Sequence, residues 1–236
     1  EKMLKVSSPW ANRFIKMLSG GETILDMGCS TGHFMKMIEG KAGKVCGHDL
    51  NIKEVKYCRE ELGLDVSSQP LEERFKKGTF DFITLIFVLE HIGNPVAFLR
   101  YLKTFLKPKG KILIVVPSIT DPLVSFYKIP EFRSFYYCIE HLFYYKKQSI
   151  SLLFDKSGLS GSVELAQEYP LANHLNWVYH KRPSDSLAAR KYVPDISVET
   201  DIKSDSWEEL WQGMDDVYRK FLVNNGYADR LWCLVG

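Results

Sequence analysis

An α/β chain built on a mostly parallel central sheet is what this sequence predicts, and three observations predict it. Short apolar runs alternate with longer amphipathic stretches through the first half, the pattern of a sheet covered on both faces. A bare turn, ILDMGCSTGHF at 24 to 34, follows the first apolar run directly, with Gly28 and Gly32 separated by small residues. Asn94 through Leu106 then places Val96, Leu99, Leu102, Phe105 and Leu106 on one helical face ahead of another apolar run, which makes a strand, crossover helix, parallel strand unit.

In chain order, residues 1 to 20 are expected to form an N-terminal helical cap. Strands are predicted at 23 to 27 (TILDM), 44 to 48 (KVCGH), 64 to 67 (LDVS), 80 to 87 (FDFITLIF) and 111 to 116 (KILIVV), with helices between them. Lys107, Pro108 and Gly110 stop the helix that starts at Asn94. After Val116 the prolines 117, 122 and 130 interrupt a stretch rich in aromatic residues, and 117 to 145 is expected to be an aromatic lid insert. A helix follows over 146 to 157, ended by Gly158, and SVELAQEY at 162 to 169 supplies a sixth strand. Residues 170 to 205 are polar and carry no clear period. An amphipathic helix is predicted over 207 to 226, so 170 to 226 forms an insert before the last strand, RLWCLVG. The whole of 1 to 236 is expected to be a single domain.

Composition narrows the function classes. The chain has 236 residues, of which 45% are hydrophobic, enough to fill a core. Its 31 basic and 29 acidic residues are well mixed and sum to +2, so no basic stripe advertises nucleic acid. The five cysteines, Cys29, Cys46, Cys58, Cys138 and Cys233, have no metal-ligand spacing and form an odd set, which predicts free thiols, no metal and a cytoplasmic location. No apolar stretch approaches the length of a membrane span. The chain begins at Glu1 instead of methionine, which leaves room for a native leader or domain cut away from that end. Nothing in the sequence specifies an oligomeric state.

The turn at 28 to 32 lets backbone approach a ligand, and Thr31 is placed to cap the helix that follows. In a sheet of this kind ligands bind beyond the carboxyl ends of the strands, where strand order reverses. Asp49 ends the second strand and would sit there, with a carboxylate able to accept bonds from both hydroxyls of a ribose. A dinucleotide fingerprint would need glycine at 28, 30 and 33, where the chain has Gly28, Ser30 and His33, and the lysine of a triphosphate-binding loop is missing too.

LDMGCSTGHF, VCGHDLN and the stretch GTFDFITLIFVLEHIGNPVAFLRYLKTFLKPKGKILIVVPS together resemble the S-adenosylmethionine-dependent methyltransferases with a Rossmann-like, seven-stranded fold. The resemblance covers residues 22 to 118. It implies a doubly wound sheet in the order 3-2-1-4-5-7-6, its seventh strand antiparallel, and S-adenosyl-L-methionine as cofactor. By position it implies that Asp26 and Gly28 flank the methionine moiety, that Cys29, Ser30 and Gly32 form the turn, and that Asp49 with Leu50 holds ribose and adenine. Ser30 replaces the family's middle glycine, a change that is tolerable at negative φ. Pro70 stands where many relatives carry an acid, so adenine recognition falls to the backbone of Leu71 or Glu72, and Phe87 is a wall of the cavity.

Methyl transfer from a sulfonium is an in-line displacement, so alignment and exclusion of water are the protein's main tasks. His91, just after the fourth strand, is the leading candidate base, because imidazole titrates near neutrality. His141 is a second candidate base. Tyr136, Tyr137, His174 and Trp177 are candidate acceptor contacts, with core packing as the competing role of these aromatics. The DNA amino-methylating motif and the paired-glutamate loop of arginine methyltransferases are both missing, which leaves a small-molecule acceptor. O-methylation of a small polar metabolite, such as a sugar or glycan precursor, leads; N-methylation competes. A catalytically silent binding module and an NAD-dependent oxidoreductase are the remaining alternatives.

Overall fold

The computed structural model describes residues 9 to 183 and 204 to 236. Seven strands form one sheet in the order β3-β2-β1-β4-β5-β7-β6. They are β1 (Thr23–Met27), β2 (Lys44–His48), β3 (Val66–Ser67), β4 (Phe80–Ile86), β5 (Leu106–Pro117), β6 (Gly161–Ala166) and β7 (Arg230–Val235). The pairs β1–β2, β1–β4, β2–β3 and β4–β5 are all parallel. Ser160 and Gly236 exchange both backbone N–H···O bonds, at 3.2 and 3.0 Å, the reciprocal pattern of antiparallel strands. The predicted strand order therefore stands.

Central strands buried on both faces read as continuous apolar runs, and Ile112 through Val116 are all fully buried. β5 starts five residues earlier than expected, at Leu106. Its register against β4 slips between Phe80 and Phe82, so the early part of the strand carries an irregularity around Pro108, which has no N–H to donate. α5 (Pro95–Lys103) is correspondingly shorter than predicted. The Asn94 side chain accepts a bond from Ala97 N at 3.2 Å, and Pro95 occupies the first turn, where its missing N–H costs nothing.

The chain divides into two compact units. The first comprises Glu1–Val116, Lys147–Glu164 and Trp232–Gly236. It holds α1 (Pro9–Ile15), α2 (His33–Ile38), α3 (Ile52–Glu60), α4 (Leu71–Arg74), α5 and α8 (Lys147–Ser157). α1 anchors on the sheet through Phe14, whose ring meets Phe82 edge-on at 5.2 Å and Phe34 at 5.9 Å. Residues 1 to 8 of the expected cap lie outside the described residues.

The second unit comprises Pro117–Lys146 and Leu165–Leu231. Its helices are α6 (Pro122–Ser125), α7 (Pro130–Tyr136), α9 (Leu171–His180) and α10 (Ser204–Asn224). Leu123, Val124, Ile129, Phe132, Tyr136 and Trp177 make its core cluster, with Tyr127, Tyr144 and Val178 packed against them. Beside this lies a buried polar network. The Asp229 carboxylate accepts from Glu168 N and Tyr169 N, both at 2.9 Å, and Asp229 N donates to Gln167 Oε1 at 3.2 Å. α9 falls in the stretch left without assignment, whose residues 184 to 203 lie outside the described residues. All five cysteines are free. Among the described residues no helix is long and apolar enough to cross a membrane.

Candidate functional site

β1 ends at Met27, and the chain turns back on itself through three residues in the left-handed region: Gly28 at φ 78°, Ser30 at 46° and Gly32 at 71°. Gly28 N and Cys29 N both donate to His48 O, at 2.7 and 3.2 Å, which ties the turn to the end of β2. A Cβ on Gly28 would fall 2.5 Å from Val88 Cγ2, and one on Gly32 would fall 2.5 Å from Leu64 Cδ1. Left-handed backbone, with Val88 just past β4 packed on Gly28 and Leu64 just before β3 packed on Gly32, thus favours glycine at both positions before any ligand is considered.

The turn departs from the sequence reading at two residues. Ser30 is not at negative φ. Its N–H donates to Asp49 Oδ2 at 2.7 Å, and that charge-assisted bond holds a serine in a conformation that costs roughly 1 kcal/mol for a residue with a Cβ. Thr31 does not cap α2. Gly32 occupies the N-cap with no side-chain bond, because its left-handed backbone closes the turn through Gly32 N to Cys29 O at 2.9 Å.

Asp49 leaves the end of β2 half-buried, and its second oxygen accepts from Asn51 N at 2.8 Å. Each carboxylate oxygen so far takes one backbone donor, and a carboxylate has about four acceptor sites, so two further hydroxyls can be bound. Leu50 beside it is 80% exposed, an apolar side chain in water at the rim of the turn. Asp26 lies deeper, with 2% exposure, and Oδ1 accepts from Thr84 Oγ1 at 2.6 Å. Burial, with Asp49 nearby as a second acid, pushes its pKa up to about 7.

The Cys29 side chain points into a core cluster with Met35, Val55, Cys58, Leu64 and Val66, so only its backbone faces the turn. Burial and the neighbouring acids raise its thiol pKa well above the usual range, and it is no nucleophile. Leu71 is buried at the first position of α4. Glu72 is exposed and accepts from the Tyr101 hydroxyl at 2.8 Å. Burial and this carboxylate raise Tyr101 to about 12, and the Leu71 N–H opposes them. Phe87, half-buried at the exit of β4, sits at φ 56° with its N–H on Val115 O at 2.8 Å. His91 closes the 3-10 turn Leu89–His91 that follows and is exposed, whereas Glu90 beside it is buried.

The acceptor-side candidates belong to the second unit, and packing occupies most of them. Trp177 is 3% exposed and meets Phe132 edge-on at 4.9 Å. Tyr136 is buried and donates to Ser118 O at 2.6 Å. His174 is fully buried, with Nδ1 against the Tyr218 hydroxyl and Nε2 3.4 Å from Gln167 Nε2. Burial and the Arg219 charge push its pKa down to about 3, so it stays neutral. Tyr137 differs from these in presenting an exposed ring. His141 is half-buried, its ring 5.3 Å from that of Tyr144.

The sequence reading missed Thr84. A single polar residue inside the apolar run FDFITLIF was the available signal, but its partner is set by strand register, Asp26 opposite Thr84, which local sequence does not show.

The site's groups suit an adenosyl cation: an acid able to accept from two hydroxyls, a buried acid without a lysine or arginine ion pair among the described residues, and backbone shaped for close approach. Comparison with known proteins bears on the same segment. Residues 3 to 162 match a family model described as a methyltransferase domain. Over 99 residues the chain is 34% identical to the ubiquinone biosynthesis O-methyltransferase of Nitrosococcus oceani, a match covering 39% of this chain and 42% of that relative. It is 24% identical over 204 residues to the demethylmenaquinone methyltransferase of Oceanobacillus iheyensis, covering 80% of this chain and 81% of the relative. Among solved structures, an S-adenosylmethionine-dependent methyltransferase from Archaeoglobus fulgidus matches with a TM-score of 0.60 at 14% identity, over 95% of this chain and 90% of that one. One from Mesorhizobium loti matches at 0.56 and 16% identity, over 98% and 99%. The chain belongs to the methyltransferase domain family, whose methyl donor is S-adenosylmethionine, and it carries that family's seven-stranded fold.

Proposed function

We propose that the chain transfers a methyl group from S-adenosylmethionine to a hydroxyl oxygen of a small organic molecule. The observation that carries this reading is the bond from Ser30 N to Asp49 Oδ2, which joins the glycine turn to the acid at the end of the neighbouring strand. When bound, the cofactor supplies a methyl group on a sulfonium, which is an electrophile. Asp49 accepts the two ribose hydroxyls, and the exposed side chain of Leu50 covers one face of the adenine. Asp26 balances the cationic methionine moiety, while the backbone at Gly28, Cys29 and Gly32 lies alongside it. Leu71, Glu72 and Phe87 wall the rest of the cavity. His91 accepts the proton that an acceptor hydroxyl loses as its oxygen attacks. His141 is the reserve candidate for the same task.

The names of the two curated relatives both concern quinones, and the first specifies an O-methyltransferase, so a hydroxyl on a quinone-type ring is the acceptor class we favour. The sugar or glycan precursor has no counterpart among them. Five free thiols suit a reducing cytoplasm.

Calorimetry with S-adenosylmethionine and its demethylated product, followed by a methyl-release assay over phenols, catechols and hydroxylated sugars, tests the proposal. Micromolar binding and turnover on a ring hydroxyl support it. Binding with no turnover on any acceptor supports the silent module instead. Tight NADH binding with no response to the sulfonium would restore the oxidoreductase.

A further inference from the structure

Asp26 and Thr84 are Cα partners in the parallel register of β1 and β4. Both side chains are almost fully buried, and Thr84 Oγ1 lies 2.6 Å from Asp26 Oδ1 and 3.5 Å from Leu25 O. The short bond makes Asp26 the hydroxyl's main acceptor. Among the described residues, the titratable groups that interact electrostatically with Asp26 are an acid and two thiols. Asp49 approaches from the end of β2, Cys29 from the turn and Cys58 from α3. Among the described residues no lysine or arginine forms an ion pair with it. A buried carboxyl group in acid surroundings, with one hydroxyl donor, is poised between its neutral and charged forms and awaits a cation.

We propose that Thr84 is a positioning residue for the cofactor: its hydroxyl holds the Asp26 carboxyl group so that this group gives its proton to solvent when a cationic methionine moiety binds at the turn. This rests on the cofactor reading above. The proton leaves Asp26 as the ligand's ammonium arrives, the carboxylate then faces the cation, and Thr84 stabilises the charged form by donating to it. Since the demethylated product keeps that ammonium, it triggers the same release.

Cofactor binding is measured by calorimetry at pH 7 in phosphate and in Tris, whose ionisation enthalpies differ, and the difference counts protons. Wild type is expected to release about half a proton more than Asp26→Asn, since Asp26 is close to half-ionised there. Thr84→Val should weaken binding roughly tenfold and raise the count, because the carboxyl group loses the donor that favours its charged form. Thr84→Ser should restore both. Equal proton counts in wild type and Asp26→Asn, with the cofactor bound, overturn this inference and leave the functional reading intact. A weaker Thr84→Val with an unchanged count reduces Thr84 to packing and also overturns it. No binding of either ligand overturns the functional reading, and this inference with it.

Discussion

Replacing Gly28 by alanine tests the turn at its tightest point. The new Cβ would sit 2.5 Å from Val88 Cγ2 and 3.5 Å from Val88 Cγ1, and the residue would keep a φ of 78°. Left-handed backbone costs a residue with a Cβ roughly 1 to 2 kcal/mol. The overlap must be relieved by moving a stiff β-branched side chain, which costs about 1 to 3 kcal/mol. Alanine returns up to about 1 kcal/mol by restricting the unfolded chain. The balance is a loss of about 1 to 5 kcal/mol, read from urea denaturation with an unchanged slope. Val88→Ala removes the obstacle, so the double variant should be more stable than the sum of the single losses by about 1 kcal/mol or more. A single variant within about 0.5 kcal/mol of wild type, or strict additivity in the pair, would refute the claim that Val88 packing dictates this glycine.

Asp49→Ala should weaken cofactor binding by about 1 to 3 kcal/mol in calorimetry, and unchanged affinity would remove Asp49 from the site. His91→Ala should lower turnover far more than cofactor affinity, whereas full activity would show that no base operates there. Asp26 and Asp121 both have folded pKa values raised from 3.8 to about 7, the second through burial and the nearby Asp229. The unfolded chain loses these protons near pH 4 and the folded chain keeps them to about 7, so stability falls as pH rises through that window. Urea midpoints at pH 5 and pH 8 should therefore lie closer together in Asp26→Asn than in wild type, with Asp121 supplying the remaining difference, and an equal drop in both proteins would contradict the assignment. Trp177→Ala should cost about 3 to 5 kcal/mol in whichever transition reports the second unit, since its indole is buried against Phe132 and Phe135.

What the sequence disclosed was whatever local pattern determines. β1 and β2 were legible to the residue, because apolar runs bounded by polar turns leave little choice, and Asp49 beside the glycine turn followed from strand order. α9 escaped because its buried face carries Asn173 and His174 next to Ala172 and Trp177. Hydrogen bonding makes burial of such groups acceptable, and it also erases the apolar period by which a helix is read. Thr84 and the φ of Ser30 escaped for a different reason: each is set by a partner far along the chain, Asp26 at a separation of 58 residues and Asp49 at 19.

Those two partners also explain where the backbone strain sits. Four non-glycine residues among those described have positive φ: Ser30, Phe87, Lys128 and Lys181. Lys181 is the C-cap of α9, and Lys128 lies just beyond the end of α6, positions where a left-handed residue serves to end a helix. Ser30 and Phe87 end no helix. They lie at the carboxyl ends of β1 and β4, adjacent parallel strands, and each is held by a backbone N–H bond to another strand's end, Ser30 to Asp49 and Phe87 to Val115. Strain of roughly 1 kcal/mol each, maintained at the edge where this fold binds ligands and compensated by contacts from neighbouring strands, fits a backbone shaped for a ligand better than one shaped for stability. Substituting glycine at Ser30 or Phe87 should accordingly relieve strain at the site while loosening the geometry that the cofactor requires. Stability maintained or gained together with weaker cofactor binding is the expected pairing, and tighter binding from either glycine would break the link between strain and function.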